Sequence, residues 1–318
     1  MGYQDLESQV SKMIYTITLN PALDYYMTID KELIDDEVNR SNQEMYKAGG
    51  KGLNVSKVLS LYGYKSKALA VVGGFTGDYI NEYFSSFKDI DFVPIQANGI
   101  TRINVKIIGN DKALCVNGNG TIASEETKVK IIKSLDAITS DDYVVVCGKN
   151  AKGLTDDFIK EIADKVNAFG ARLIIDMESV DEEMIRHCKP YLIKPNLYEL
   201  GIIMKNADIT LENLKNHCDS LLSYGLQTIL VSLGKDGAYY TDGKTRLKVS
   251  QPTIHAINKV GCGDAMLASF IGKLANGESV DECLKVATAA GCATASMLED
   301  VTIEDIMKLY PFIEVDNY

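Results

Sequence analysis

The sequence predicts an α/β protein: a doubly wound, mostly parallel sheet flanked by helices, with a second, small β-sheet serving as a lid. Three observations predict it. Apolar runs of strand length alternate with segments of helical spacing through the middle and C-terminal parts, the pattern of parallel strands joined by helical crossovers. Two other stretches alternate apolar and polar residues, as strands with one wet face do. No repeat, low-complexity tract or Pro/Gly/Ser linker interrupts the chain, so residues 13–318 read as one body.

Taken in order, residues 1–12 carry no apolar stretch fit for a signal peptide and read as a leader or tag. Ile14–Leu19 is a strand. Residues 24–47 and 99–116 supply the strands of the small sheet, the second with Thr101-Arg102-Ile103-Asn104-Val105-Lys106-Ile107. Such a sheet serves either as a lid over a site or as a dimer surface. Apolar runs at Tyr143–Cys147, Leu173–Ile175, Tyr191–Ile193 and Thr228–Leu233 are core strands. Between them, Phe158, Ile162, Val166 and Phe169 fall at helical steps, as do Leu214, Cys218, Leu221 and Leu222.

Composition excludes several classes. Of 318 residues 46% are hydrophobic and 24% charged, which rules out a disordered or fibrous chain. With 33 Lys and Arg against 44 Asp and Glu, the net charge of −11 lacks the basic footprint of a nucleic-acid binder. An anionic small substrate stays compatible, because charges beyond about 8 Å are screened and a few local cations govern a pocket. No run approaches the ~18 apolar residues of a membrane span. Seven scattered cysteines without a C-x-x-C pair argue against disulfides and zinc and for a reducing, cytoplasmic setting.

Two glycine motifs stand out. Ala48-Gly49-Gly50-Lys51-Gly52-Leu53-Asn54 closes a strand and opens a helix whose apolar face is Val55, Val58, Leu59 and Tyr62. Its glycines let backbone N–H groups approach a ligand, and a helix N-terminus favours anions or hydroxyl oxygens. The plain alternative is a turn before a helix; a Walker A spacing is absent. Late in the chain, Val260-Gly261-Cys262-Gly263-Asp264 leads into a helix carrying Leu267, Ile271 and Leu274. This is a nest of amide donors suited to an oxyanion or a transferring phosphoryl group. Asp264 either complements the helix dipole or acts as general base for a hydroxyl nucleophile.

Weaker signals follow the core strands. Lys194-Pro195-Asn196-Leu197-Tyr198-Glu199 places Asn196 and Glu199 three apart, as a site for hydrated Mg²⁺ or as a capping box. Ser232, Gly234 and Gly237 close another strand, as a nucleotide contact or a turn. Gly118-Asn119-Gly120-Thr121-Ile122-Ala123 matches a dinucleotide fingerprint, yet the strand ending Val146-Cys147-Gly148 lacks the acidic residue such a site wants.

Together these motifs resemble the ribokinase-like (PfkB-type) carbohydrate kinases over essentially everything after Met13. The two signatures, Gly49-Gly50-Lys51-Gly52-Leu53-Asn54 and Gly261-Cys262-Gly263-Asp264, occur in the family's order, and the pair is more specific than either alone. Thr18-Leu19-Asn20-Pro21-Ala22-Leu23-Asp24 and Thr101-Arg102-Ile103-Asn104-Val105-Lys106 look most like the phosphosugar branch that contains 1-phosphofructokinase and tagatose-6-phosphate kinase.

The resemblance implies ATP- and Mg²⁺-dependent phosphorylation of a sugar hydroxyl under a lid that often dimerises, hence a homodimer. Fructose 1-phosphate is the expected acceptor, with tagatose 6-phosphate or fructose 6-phosphate as alternatives. A degenerate, phosphosugar-sensing protein is the alternative of another class. Asp264 would be the base, with Gly261, Cys262 and Gly263 forming the cradle. Asp24, Gly49, Gly50, Asn54 and Asn104 would line the sugar site, with Lys51 and Arg102 on its phosphate. Lys194, Asn196, Ser232, Gly234 and Gly237 would line the ATP site, and Glu199 would hold Mg²⁺ through water.

This sequence departs from the family at three places. Lys259 stands where Thr is usual, either supplementing the cradle or as a solvated turn residue. Asn258 replaces an Asp tied in some relatives to a monovalent-cation site. Gly148-Lys149-Asn150-Ala151-Lys152-Gly153 replaces a Ser-Leu-Pro-like loop and adds cations near the ATP cleft.

Overall fold

A computed structural model describes residues 12–206, 208–257, 260–297 and 299–318. Asn258, Lys259 and the first eleven residues of the leader expectation lie outside them. From the N-terminus the elements are β1 Ile14–Thr18, β2 Ala22–Thr28, β3 Gln43–Gly49, α1 Lys51–Leu61, β4 Ser66–Val72, α2 Gly74–Ser85 and β5 Ile90–Gln96. Next come β6 Arg102–Ile108, β7 Ala113–Asn117, α3 Glu125–Lys133, β8 Tyr143–Gly148, α4 Asp156–Ala168, β9 Arg172–Met177 and α5 Glu182–Cys188. They are followed by β10 Leu192–Ile193, α6 Leu197–Ile203, α7 Leu214–Ser223, β11 Thr228–Ser232, β12 Ala238–Thr241 and β13 Arg246–Ser250. The chain closes with α8 Cys262–Ala275, α9 Val280–Ala295, α10 Ile303–Leu309 and β14 Glu314–Asn317.

Ten strands form the main sheet in the order β14-β13-β12-β11-β10-β9-β8-β1-β4-β5. From β11 to β5 neighbours run parallel, and β12, β13 and β14 add an antiparallel edge. Strand alternation sorts the side chains cleanly. Ile17, Leu69, Val144, Val146, Leu173 and Ile175 pack under α3 to α7. Ile14, Val145, Cys147, Ile174, Leu192 and Leu230 pack under α1, α8, α9 and α10. Helices cover both faces, the doubly wound arrangement that the alternating patterns predict. β1 lies between β4 and β8, the point where the strand order reverses; in open α/β sheets ligands bind outside the strands' carboxyl ends at such a point.

The second sheet has the order β3-β2-β6-β7. The alternation of β2 and β6 leaves open which face meets solvent, and the structure answers it: Asp24 pairs with Asn104 and Tyr26 with Lys106 on the inner face, where Asn104 is buried. The opposite face, with Tyr25 beside Tyr46 and Val105 beside Val116, is apolar and open: Tyr46 is 52%, Leu114 52% and Val116 56% exposed. Alternation reports two faces without saying which one meets solvent. Among the described residues no helix is long and apolar enough to cross a membrane.

Candidate active site

Gly261, with φ 80°, turns the chain into α8, whose first turn carries Cys262, Gly263 and Asp264. The first N–H groups of a helix have no partner within it. Gly263 lets Lys194 come close: a Cβ there would stand 2.9 Å from Lys194 Nζ. The early glycine loop meets this turn from 210 residues away, where Asn54 Nδ2 donates to Asp264 Oδ2 at 2.8 Å. Gly50, the residue before α1, has φ 139°, and a Cβ on it would press on Thr18 at 2.7 Å.

Asp264 is buried, and its acidity is changed accordingly. Burial pushes its pKa up from 3.8 to about 6, the Asp176 carboxylate adds to the rise, and Lys51, Asn54 and Lys194 restrain it. A carboxylate poised there is ionised at neutral pH yet basic enough to accept a proton from a hydroxyl.

Alternate positions of the core strands, on one face of the sheet, deliver the groups around it. Asp176 on β9, Cys147 on β8 and Lys194 just beyond β10 share the face covered by α1 and α8. Lys51 Nζ donates to Asp176 Oδ1 at 3.1 Å, and Lys194 Nζ lies 3.8 Å from Asp176 Oδ2. Burial alone would lower the Lys51 pKa, but the carboxylates of Asp176 and Asp264 outweigh it and raise it. Cys147, fully buried below them, is pushed well up, by burial first and by the same two carboxylates second.

The lid's inner face supplies the other half. Asp24 accepts from Asn104 Nδ2 at 2.8 Å and from Lys106 Nζ at 3.2 Å; Lys106 also donates to the Tyr26 hydroxyl at 2.8 Å. A Cβ on Gly49 would lie 3.6 Å from Asn54 Oδ1 and 3.8 Å from Asp24 Oδ2, so Asn54 stands between the two aspartates. Arg102 is half-buried. Its Nε is buried without a partner, and among the described residues no carboxylate comes within ion-pair distance. Burial lowers its pKa, against the opposing charges of Asp24 and Glu178. Asn20 Oδ1, Asn104 Oδ1, Thr121 Oγ1 and Asn150 Oδ1 are also buried and unpaired. Such groups cost about 1–3 kcal/mol each unless a ligand or water satisfies them.

Of the residues expected to line the nucleotide, Asn196 and Glu199 form a full capping box on α6, through 2.8 and 2.9 Å bonds. Glu199 also lines a pocket with Asp176, Glu178, Lys194 and Pro195. Ser232 bridges to Asn196 at the end of β11, with Gly234 beyond it in open surroundings. Gly237 answers a packing need, since a Cβ on it would collide with the Val249 carbonyl. Lys149 and Lys152 are exposed. Among the described residues no group of three or more His, Cys, Asp or Glu forms a metal cage. Carboxylates spaced along a pocket without a closed cage fit instead a hydrated cation held largely by a ligand's phosphates.

The sequence reading missed two residues of this cluster. Asp176 follows the apolar run Leu173–Ile175 directly, and its signal was its place at the carboxyl end of a parallel strand. Lys106 was signalled by its place in the alternate-position series Arg102, Asn104, Lys106.

Residues 18–303 match the pfkB family of carbohydrate kinases. A curated relative, the 1-phosphofructokinase of Borreliella burgdorferi, is 34% identical over 96% of this chain and 99% of its own. The D-tagatose-1-phosphate kinase of Bacillus licheniformis is 37% identical over 89% of this chain and 92% of its own. The fold matches a crystal structure of phosphofructokinase-2 from Escherichia coli in complex with fructose-6-phosphate, with a TM-score of 0.87 and 22% identity, covering 95% of this chain and 99% of that one.

Proposed function

The chain belongs to the pfkB family of carbohydrate kinases, phosphotransferases that act on a sugar hydroxyl, and from that premise we propose that it phosphorylates a ketohexose phosphate, fructose 1-phosphate, using ATP. The single observation that carries this reading is the half-buried Arg102, its Nε without a partner among the described residues, on the lid face that carries Asp24 and Asn104. A neutral acceptor would leave that guanidinium without a counter-charge, whereas a phosphate meets its fork of donors. Asp24 and Asn54 bind the sugar hydroxyls. Lys51, whose ammonium faces Asp176, Asp264 and Glu199, is assigned to the transferring group rather than to the phosphate already on the sugar.

The reaction asks for positioning and charge compensation. Asp264 takes the proton as the acceptor O–H bond breaks and its oxygen bonds to the γ-phosphorus. The bond from that phosphorus to the β-bridging oxygen breaks, and ADP leaves. Amides at Gly261, Cys262 and Gly263 stabilise the developing charge; one such donor is worth about 3–4 kcal/mol in other enzymes. Glu199 would hold Mg²⁺ through water, and the cation when bound would supply charge neutralisation to the phosphates. Lys194, Asn196, Ser232, Gly234 and Gly237 line the ATP side. The open apolar face of Tyr46, Leu114 and Val116 supports a lid-to-lid homodimer.

A second reading, tagatose 1-phosphate as acceptor, is favoured by the relative at 37% identity. Acceptor-dependent ADP release across fructose 1-phosphate, tagatose 1-phosphate, tagatose 6-phosphate, fructose 6-phosphate and fructose decides. We expect fructose 1-phosphate to lead and fructose to fail. Tight phosphosugar binding with no ADP formed would make the protein a sensor instead.

A further inference from the structure

Asp176 has two ammonium neighbours and no task in the chemistry above. It ends β9 and is buried, at 4% exposure. Oδ1 accepts from Lys51 at 3.1 Å, while Oδ2 lies 3.8 Å from Lys194 and accepts no hydrogen bond. The two lysines arrive from different elements, Lys51 from the first residue of α1 and Lys194 from the chain just past β10. Lys194 Nζ also rests against Gly263, at the head of α8.

We propose that Asp176 is a positioning residue for phosphoryl transfer, its carboxylate clamping Lys51 and Lys194 so that both ammonium groups face the phosphoryl group at the α8 amide cradle. This deepens the kinase reading and rests on it. Lysine stems are flexible, and a buried clamp fixes both before substrate arrives, which is where enzymes gain from orientation. The charge balance fits the reaction. Two ammonium groups cancel the carboxylates of Asp176 and Asp264 at rest; when Asp264 takes up the acceptor's proton, one positive charge is left beside the phosphoryl group in flight.

The groups facing Asp264 are Lys51 and Asn54 from α1, Cys147 from β8, Asp176 from β9, Lys194 beyond β10 and Cys262 on its own helix. Asp176 is the acidic one nearest, so its removal has a signature that a merely structural residue lacks. In the full chain, Asp176→Asn is expected to lower kcat about 100-fold. The acceptor KM should stay within about threefold, as for an interaction made in the transition state. The acid limb of the kcat profile moves to lower pH because a like charge beside Asp264 is gone. The Mg²⁺ requirement should stay unchanged, and Asp176→Glu should restore part of kcat.

If Asp176→Asn melts below assay temperature, Lys194→Gln serves in its place and should lower kcat at an unchanged acceptor KM. An unaltered kcat, a change confined to acceptor KM, or a raised Mg²⁺ requirement with an unmoved acid limb overturns the clamp. Failure of the kinase reading shows elsewhere, in a wild-type protein that releases no ADP with any sugar phosphate. Failure of the clamp shows only in the variants, against an active wild type.

Discussion

The part of the cleft proposed for phosphoryl transfer and the part proposed for the acceptor are built on opposite plans. Around Asp264 nearly every charge is engaged: Asn54 bonds the carboxylate, and Lys51 and Lys194 flank Asp176. These groups stand on core strands and on the first turns of α1 and α8, packed between buried layers. The acceptor half is carried by a four-stranded sheet with one open face, and its junction with the body holds unpaired atoms on Asn20, Arg102, Asn104 and Thr121. A reaction centre that must not reorganise is finished before substrate arrives, whereas a recognition surface keeps hydrogen-bonding capacity in reserve. Substitutions in the first half should therefore act on turnover, and in the second half on affinity.

The largest effect falls on Asp264. Asp264→Asn should cut turnover about 1,000-fold, within the range for a lost general base. The same change should raise stability. With a folded pKa of about 6 against 3.8 for an ordinary Asp, the native protein holds the proton more tightly than the unfolded chain. Stability is then full below about pH 4 and falls as pH rises through 6, leaving a cost on the order of 2–3 kcal/mol at pH 7. Thermal melts at pH 7 should show the Asn variant above wild type, with the gap closing near pH 4. A lower melting temperature at pH 7 would mean that the ionised carboxylate is held favourably by its lysines. In wild type, kcat should rise with pH and level off above about 6.

Arg102→Met comes next and tests the other half. Losing a charge-assisted contact of about 1.5–3 kcal/mol predicts a 10- to 100-fold fall in kcat/KM for the phosphosugar, carried by KM. A fall carried by kcat would erase the distinction between the halves. Leu114→Asp, on the lid's outer face, should convert a dimer to a monomer in sedimentation while raising acceptor KM severalfold. A monomeric wild type would leave the exposed face of Tyr46, Leu114 and Val116 without that role.

The legibility of the molecule follows the same division. Signals that need only local chemistry were readable: the glycine loops, the helix they open, and the strand runs Tyr143–Cys147 and Thr228–Leu233, which the sheet contains with ends moved by a residue. The meeting of the early loop with Asp264 was readable only through a family likeness, because nothing in either segment encodes a contact 210 residues away. Asp176 escaped since an aspartate after an apolar run looks like the end of a strand; its meaning comes from Lys51 and Lys194, which three-dimensional folding supplies. The lid's polar stripe was legible as a stripe, but its direction was set by the body it packs on. Asn196 and Glu199 illustrate a pattern with two readings at once, since the capping box is formed and the carboxylate still lines the crevice.

The smallest predicted effect sits on the lid's inner face. Lys106 holds Asp24 Oδ2 at 3.2 Å, bonds the Tyr26 hydroxyl and lies 4.5 Å from that ring's centre. It is thus a brace for Asp24, which Asn104 also holds from the other oxygen. Lys106→Met keeps the stem's packing and removes the charge, leaving Asp24 with one fixed partner. The carboxylate keeps its place on β2 but samples more rotamers, so acceptor KM should rise about three- to fivefold, roughly the worth of one hydrogen bond near 1 kcal/mol. kcat should hold, because neither Asp264 nor its lysines contact Lys106. Steady-state kinetics with fructose 1-phosphate separates the outcomes. A kcat loss matching that of the Asp264 variant would mean that the lid contributes to the transfer step itself, and the division of labour between sheet and lid would have to be abandoned.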